Sequence, residues 1–596
     1  MAPIPGPPFR ALLRSLPPPL ALTVPAEPSA PPTPAALIWQ PTLAPGRDWQ
    51  PLMIGLAVAC GLLVALPVLG VFASFVYAEG SGETLAHLAS TVMPRAALET
   101  GLLVTLVMAG VVVLGTTSAW LVAAHEFPGR RVFEWALLLP LAMPGYIVAY
   151  AYTDFLQFSG PVQSLLRSSL GLSRGDYWFP EIRSLPGAAF VFTVVLYPYV
   201  YLLARTAFLA RTASMIDAAR SLGLGPWQTW LRVNLPLARP AVAAGALLAL
   251  METLADYGAA SYFGLQTFTT AIYRAWYALG DRIAASQLAA VLLFVVLVVM
   301  AIEVRMRGRA RFYAPPNTAR PAPRMPLSRR GGAAAFIACC VPLGLGFVLP
   351  VLILVGLLLP TIDTAPWSRY LGWLSNSLFI AAAAAVLALV AVLGIAYAQR
   401  LLPAGRSALA VRLAAKAMNL GYAVPGAVIA VGILLPLAAF DNALDAALKS
   451  LFGVGTGLLL TGTVIALLYA YVVRYFAVAF QPVEAGLARI TPTMDASARS
   501  LGSTPLEVFR RIHLPLLRPS LAAGALLVFV DVMKELPATL VLRPFNFDTL
   551  AVIAYQMAAD ERLAEAALPS LTLVLVGVVP VIMLSRAISR SSRLGV

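Results

Sequence analysis

DAARSLGLGPWQTWLRVNLPLARPAVAAGALL, residues 217–248, is echoed by ASARSLGSTPLEVFRRIHLPLLRPSLAAGALL, residues 496–527. The register is constant: Gly223 and Gly502 are 279 residues apart, and so are Pro236 and Pro515. A shared register over so long a separation means a duplicated unit. Each copy reads as two short helices joined by a turn. Glycine is the usual left-handed stop just past a helix end, which places that stop at Gly223 and Gly502. Pro226 and Pro505 are placed to open the second helix in its first turn. Thr504 and Glu507 have the spacing of a capping box. The second helix carries Trp227, Trp230 and Leu231 in one copy and Leu506, Phe509 and Ile512 in the other. Leu235-Pro236 and Leu514-Pro515 are expected to end it. A surface turn with its own small core is the bland reading. Two matching copies weaken it, because folding alone does not demand the same loop twice.

Outward from these loops the chain is apolar. Of its 596 residues 60% are hydrophobic and 12% charged, where a soluble domain carries about 25% charge. This is the composition of an all-α polytopic membrane protein. A spanning helix needs about 20 apolar residues. Six runs qualify near 52–77, 100–123, 133–153, 187–206, 241–262 and 285–304. Six more lie near 332–358, 374–398, 417–439, 457–479, 520–540 and 566–586. The expectation is about 12 transmembrane helices in two six-helix repeats, 51–304 and 332–596, joined by a basic Pro-rich linker over 305–331. Residues 1–50 are too rich in proline for a long helix and show no signal-peptide pattern, so they read as a disordered cytoplasmic lead.

The formal charge of +15 sits in short loops between apolar runs. That distribution argues against a nucleic-acid partner and fits the rule that positive charge stays inside. Both termini, the linker and both repeated loops fall on the Arg-rich, cytoplasmic side, so the repeats are parallel. Cys60, Cys339 and Cys340 lie inside apolar runs, and His87, His125 and His513 are isolated. No disulfide framework or metal-ligand spacing appears.

Charge inside a span is costly, on the order of 3 kcal/mol or more per residue, and marks function by default. Glu252 and Asp256 are four apart, which on an unbroken helix puts them on one face. Asp531, Lys534 and Glu535 fall at the matching place in the second repeat. Two readings stand. The carboxylates line a translocation pathway for a hard cation, with Tyr257, Tyr262 and Tyr273 adding oxygens. Alternatively, Lys534 with Asp531 or Glu535 forms a buried salt bridge that locks the repeats together.

The repeated loop resembles the EAA motif of ATP-binding-cassette importer permeases: EAA, three residues, Gly, nine residues, Ile, one residue, Leu-Pro. Asp217-Ala218-Ala219, Gly223, Val233 and Leu235-Pro236 keep that spacing. So do Ala496-Ser497-Ala498, Gly502, Ile512 and Leu514-Pro515, with Ala496 in place of the acid and Asp495 beside it. The resemblance covers roughly residues 50–596 and implies a MetI-like permease fold. It also implies that the two loops are coupling helices, each seated in one of two copies of a cytoplasmic ATPase, with a periplasmic solute-binding protein on the other face. On that reading the chain sits in a bacterial inner membrane and binds no cofactor itself. ATP is used by the partner, since the chain has no phosphate loop of the G-x-x-x-x-G-K-[ST] kind. ADYGAASYFGLQTFTTAIYRAWYALGD (255–281) and DVMKELPATLVLRPFNFDTLAVIAYQ (531–556) resemble signatures of fused two-repeat ferric-iron permeases. Relatives for thiamine, phosphonate or polyamine share the rest of the pattern. An ion-gradient-driven secondary transporter with paired halves is the rival of another class. A membrane enzyme finds no support, because HExxH, G-x-S-x-G and His clusters are missing.

Overall fold

In a bilayer a continuous apolar run can satisfy its backbone as an α-helix, and this chain is helical almost throughout. The computed structural model describes residues 50–77, 81–173, 176–307, 323–402 and 405–594. The lead over 1–49, the middle of the linker over 308–322 and the side chains of Arg586, Arg590 and Arg593 lie outside the described residues.

The first half runs α1 (Gln50–Tyr77), α2 (Ser81–Ala124), α3 (Arg130–Ala136), α4 (Gly145–Leu156), α5 (Pro161–Leu170) and α6 (Leu185–Leu209). It continues with α7 (Ala213–Ser221), α8 (Pro226–Thr229), α9 (Leu235–Ala255), α10 (Gly258–Tyr262), α11 (Phe268–Tyr273) and α12 (Arg282–Arg307). The second half opens with α13 (Arg329–Leu343), α14 (Leu349–Leu358), α15 (Trp367–Leu401), α16 (Arg406–Leu420), α17 (Gly426–Phe452) and α18 (Val464–Ala488). It closes with α19 (Pro492–Ser500), α20 (Pro505–Val508), α21 (Leu514–Met533), α22 (Pro537–Leu542), α23 (Leu550–Ala559) and α24 (Leu563–Leu594). Thus α15 corresponds to α2, α18 to α6, and α19–α24 to α7–α12 in order.

Among the described residues eleven helices are long and apolar enough to cross a membrane. The run expected as one span over 133–153 is instead a bent pair, Arg130–Ala142 and Gly145–Leu170, at 91°. The cause is Met143-Pro144. Both are extended, since a proline removes a backbone donor and disfavours helix in the residue before it, and the helix restarts at Gly145. The sister run breaks at the same place: α16 stops at Leu420, Val424 and Pro425 are extended, and α17 starts at Gly426.

Prolines also correct the expectation that Leu235-Pro236 and Leu514-Pro515 end a helix. Helix continues from Pro226 to Ala255, and from Pro505 to Met533, through π turns at Trp230–Asn234 and Phe509–His513. A third π turn, Gly344–Val348, likewise ends two residues before Pro350. A proline lacks the N–H that the carbonyl four residues back needs, and its ring collides with that carbonyl. One widened turn re-registers the ladder, and the span survives.

The first helices cross over. α1 lies against α16 and α17 of the other half, while α14 lies against α24 and α4. The α1–α17 approach is close enough that a Cβ on Gly432 would stand 2.1 Å from the Pro67 carbonyl oxygen. One buried core runs through both halves. The described end of the linker is tied to the first half: Met325–Pro326 pairs in parallel with His125–Glu126. Arg324 lies 3.6 Å from Glu126 and 3.9 Å from Glu134.

Candidate functional site: two exposed loops and a charged cavity between the halves

The two loops fold alike. Gly223 and Gly502 have φ of +76° and +81°, a conformation that costs an L side chain about 1–2 kcal/mol. Each closes the preceding helix with the same pair of bonds. Gly223 N–H donates to Arg220 O and Leu224 N–H to Ala219 O. Gly502 N–H donates to Arg499 O and Ser503 N–H to Ala498 O. The capping box forms: Thr504 N–H donates to Glu507 Oε2 at 2.9 Å, and Glu507 N–H to Thr504 Oγ1 at 3.4 Å.

The apolar positions divide into two sets. Trp230, Phe509 and Ile512 turn inward. Trp230 sits 6.5 Å from Trp120, Phe509 packs 4.9 Å from Tyr397, and Ile512 joins Leu401, Ala498 and Val508. Three equivalent pairs point out: Met215 and Met494, Leu222 and Leu501, Trp227 and Leu506, each more than a third exposed. Asp217 and Ala218 are exposed as well, whereas Ala219 and Ala498 are buried.

Asp495 departs from expectation. It is 1% exposed and faces inward. Its Oδ2 accepts from Arg400 Nε at 3.1 Å and Nη2 at 2.6 Å, and its Oδ1 is 2.7 Å from His513 Nε2. Arg400 also donates to the carbonyls of Leu487 and Ile490. A network so enclosed anchors the loop to the end of α15; it leaves no carboxylate for a partner. The first loop has Ile216 at that place, and its anchor is aromatic. Arg211 lies over Trp120 at 4.6 Å, and Trp120 meets His125 edge-on. Burial and the Arg211 guanidinium hold the His125 imidazole below its ordinary range.

Between the halves lies a cavity of about 130 Å³. Its walls include Glu252 and Asp256 from the first half and Arg474, Asp531, Lys534 and Glu535 from the second. The shared-face reading of Glu252 and Asp256 fails, because α9 ends at Ala255 and Asp256 is extended. Asp256 Oδ1 instead accepts the free N–H groups of Ala259 and Ala260 at the start of α10. Glu535 does the same for Ala538 and Thr539 at the start of α22. A carboxylate on helix-start donors is electrostatically favoured. Lys534 pairs with Asp531 at 3.0 Å, three residues away in its own half, so this bridge does not lock the repeats together. Among the bonds that do cross, Tyr422 Oη donates to Glu252 Oε1 at 3.2 Å in the cavity wall.

With this geometry in hand, the comparisons bear directly on the class. Residues 111–306 match the family described as binding-protein-dependent transport system inner membrane component. The chain is also 27% identical over 493 residues to the Fe(3+)-transport system permease protein FbpB 2 of Haemophilus influenzae, covering 82% of this chain and 88% of that one. The chain thus carries a binding-protein-dependent permease unit over residues 111–306 and is similar to one such permease along most of its length. Two further relatives of this permease, both from Escherichia coli, match over shorter stretches. The molybdenum transport system permease protein ModB is 28% identical over 149 residues, 25% of this chain and 62% of that one. The sulfate transport system permease protein CysW is 27% identical over 213 residues, 36% of this chain and 70% of that one.

The three tyrosines weighed for the pathway, Tyr257, Tyr262 and Tyr273, all lie outside the cavity lining. Tyr257 stacks on Tyr273 at 3.7 Å, and Tyr262 lies beside Arg183. The permease's Arg474 escaped sequence reading although a signal existed. It is the one charged residue in the apolar run over 457–479, and such a charge marks a function or a partner. Its partner is Glu535, at 3.0 Å. Tyr146 and Tyr422 gave no comparable signal, since tyrosine is ordinary near a membrane surface.

Proposed function

We propose that this permease carries ferric iron through the cavity between its halves, driven by a separate ATPase. The carrying observation is the cavity's charge. Four carboxylates face two cations there, leaving two negative charges in excess. Such a wall favours a cation, and carboxylate and phenol oxygens suit a hard one. It is poorly matched to an anion such as the sulfate for which one relative is named. The relative matched along most of its length is named for Fe(3+).

The two loops are read as seats for two copies of a cytoplasmic ATPase. Their equivalent exposed side chains (Met215, Leu222 and Trp227; Met494, Leu501 and Leu506) make a repeated apolar face of the kind that marks a docking surface. Asp217 and Ala218 flank it; Ala219, Gly223, Leu235, Pro236, Ala498, Gly502, Leu514 and Pro515 shape it. Asp495, Trp230 and Phe509 hold it in place. The Arg-rich side, with the loops, linker and termini, is taken as cytoplasmic in a bacterial inner membrane. A periplasmic binding protein then delivers cargo from the opposite face. ATPase closure moves the loops together and rocks the halves, which alternates access to the cavity.

The test is reconstitution with its cognate ATPase and binding protein. ATP-dependent accumulation of radiolabelled Fe(III) is expected. Uptake driven by a proton gradient through this chain alone would instead favour a secondary transporter.

A further inference from the structure

The cavity is built from a repeat, yet its two halves are charged differently. Glu252 and Asp531 are 279 residues apart, and so are Asp256 and Glu535. In the second half each acid has a cation: Lys534 on Asp531 and Arg474 on Glu535, both at 3.0 Å. The same offset places Ala255 opposite Lys534 and Val195 opposite Arg474. Both of these apolar residues line the cavity. Among the described residues no Lys, Arg or His forms a salt bridge with Glu252 or Asp256, so the first half keeps two carboxylates and lacks both cations.

A second observation points the same way. Tyr146 lines the cavity, is 5% exposed, and has a buried hydroxyl with no hydrogen-bond partner. An unpaired buried hydroxyl costs on the order of 1–3 kcal/mol. Tyr422, from the other half, already directs its hydroxyl to Glu252. Glu252 therefore has a hydroxyl as its hydrogen-bonded partner, and Asp256 shares its wall with a free one, where Asp531 and Glu535 each have a cation at 3.0 Å.

We infer that Glu252, Asp256 and the Tyr146 hydroxyl form a one-sided cation subsite in the cavity. There a hard metal cation occupies the place that Lys534 and Arg474 fill in the second half. Glu535 and Asp531 are then standing ion pairs that hold α22 and α21, and are not ligands. Two carboxylates and a phenol oxygen make a weak site. Among the described residues no group of three or more His, Cys, Asp or Glu is arranged to retain a metal. Weak binding suits transit, since a conducting site must let its ion leave.

This inference rests on the importer reading and is tested in the assembled transporter, with ATPase and binding protein, in proteoliposomes. Val195→Arg supplies the missing cation. It should slow Fe(III) uptake by at least about tenfold while ATP hydrolysis stimulated by loaded binding protein persists. Asp256→Asn, which keeps an oxygen for the α10 donors, should slow uptake by a similar factor, and Tyr146→Phe less. The double variant Arg474→Met with Glu535→Gln, which removes one charge of each sign, should slow uptake less than Asp256→Asn does. Normal uptake by Val195→Arg and Asp256→Asn, or a larger loss in the double variant, overturns the one-sided site and leaves the importer standing. If the parent carries spermidine and no Fe(III), the ferric reading fails. Block of spermidine uptake by Val195→Arg would then still support a cation subsite, and its indifference would remove that too.

Discussion

Arg400 and Asp495 form an ion pair in which both partners are at least 98% buried, with two guanidinium nitrogens on one carboxylate oxygen at 3.1 and 2.6 Å. The pair ties the second loop to α15. Removing one partner strands a buried charge, which costs about 3–5 kcal/mol. Asp495→Ala should therefore lower the thermal unfolding midpoint of the purified protein sharply. Arg400→Met with Asp495→Leu should lower it less, because no charge is stranded. Equal losses would mean that the pair matters for shape and not for charge balance.

Trp227 and Leu506 are the largest exposed side chain of the first loop and its equivalent on the second, 68% and 56% exposed. Large aromatic anchors dominate interface energies, at 2 kcal/mol or more when truncated. Trp227→Ala should weaken ATPase binding by about tenfold or more, and Leu506→Ala by a smaller factor. The measurement is the affinity of purified ATPase for the permease in detergent. The permease's own unfolding midpoint should hardly move, because neither side chain is in the core.

Gly223 and Gly502 need their positive φ, yet nothing lies within 4 Å of a Cβ built on either. The cost of substitution is thus purely conformational. Val at either place should strain the turn by about 1–3 kcal/mol, displace the loop and lower cargo carried per ATP. Asn, which tolerates the left-handed region, should be close to neutral. Transport and hydrolysis measured together in proteoliposomes distinguish these outcomes; equal behaviour of Val and Asn would dissociate loop geometry from coupling.

Gly432 is the opposite case, open in φ but closed in space. A Cβ there would stand 2.1 Å from the Pro67 backbone oxygen, which no side-chain rotation relieves. Gly432→Val should drive α1 away from α17, at a cost of several kcal/mol by comparison with core overpacking of about 1–3 kcal/mol. The readout is the yield of monodisperse protein after extraction. Gly55, with open space around it, is the control.

Duplication carried much of the architecture in plain view. One offset, read from Gly223 and Gly502, predicts the matching of α6 with α18 and of α9 with α21. The loops were legible because Gly, Pro and a capping box have local meanings. What stayed hidden was local in another sense. Hydropathy sees apolar residues and is blind to a break within them, so the breaks at Pro144 and Pro425 passed as unbroken spans. For the same reason Glu252 and Asp256 read as neighbours on one helix, although Asp256 begins a new segment. Arg474 was visible as a charge in an apolar run, but its pairing with Glu535 depends on two helices meeting.

The crossing of α1 onto α16 and α17 bears on how the protein is made. α1 is made before α16 and α17, so most of its resting place is not synthesised until the second half emerges. Until then it holds in lipid with only part of its packing made, and a mean hydropathy of 2.5 within Ile54–Phe75 suits it to that wait. A cell that produced the halves from two genes would leave α1 without α16 and α17 until the other polypeptide arrived. Keeping both on one ribosomal product ensures that the two are always born together.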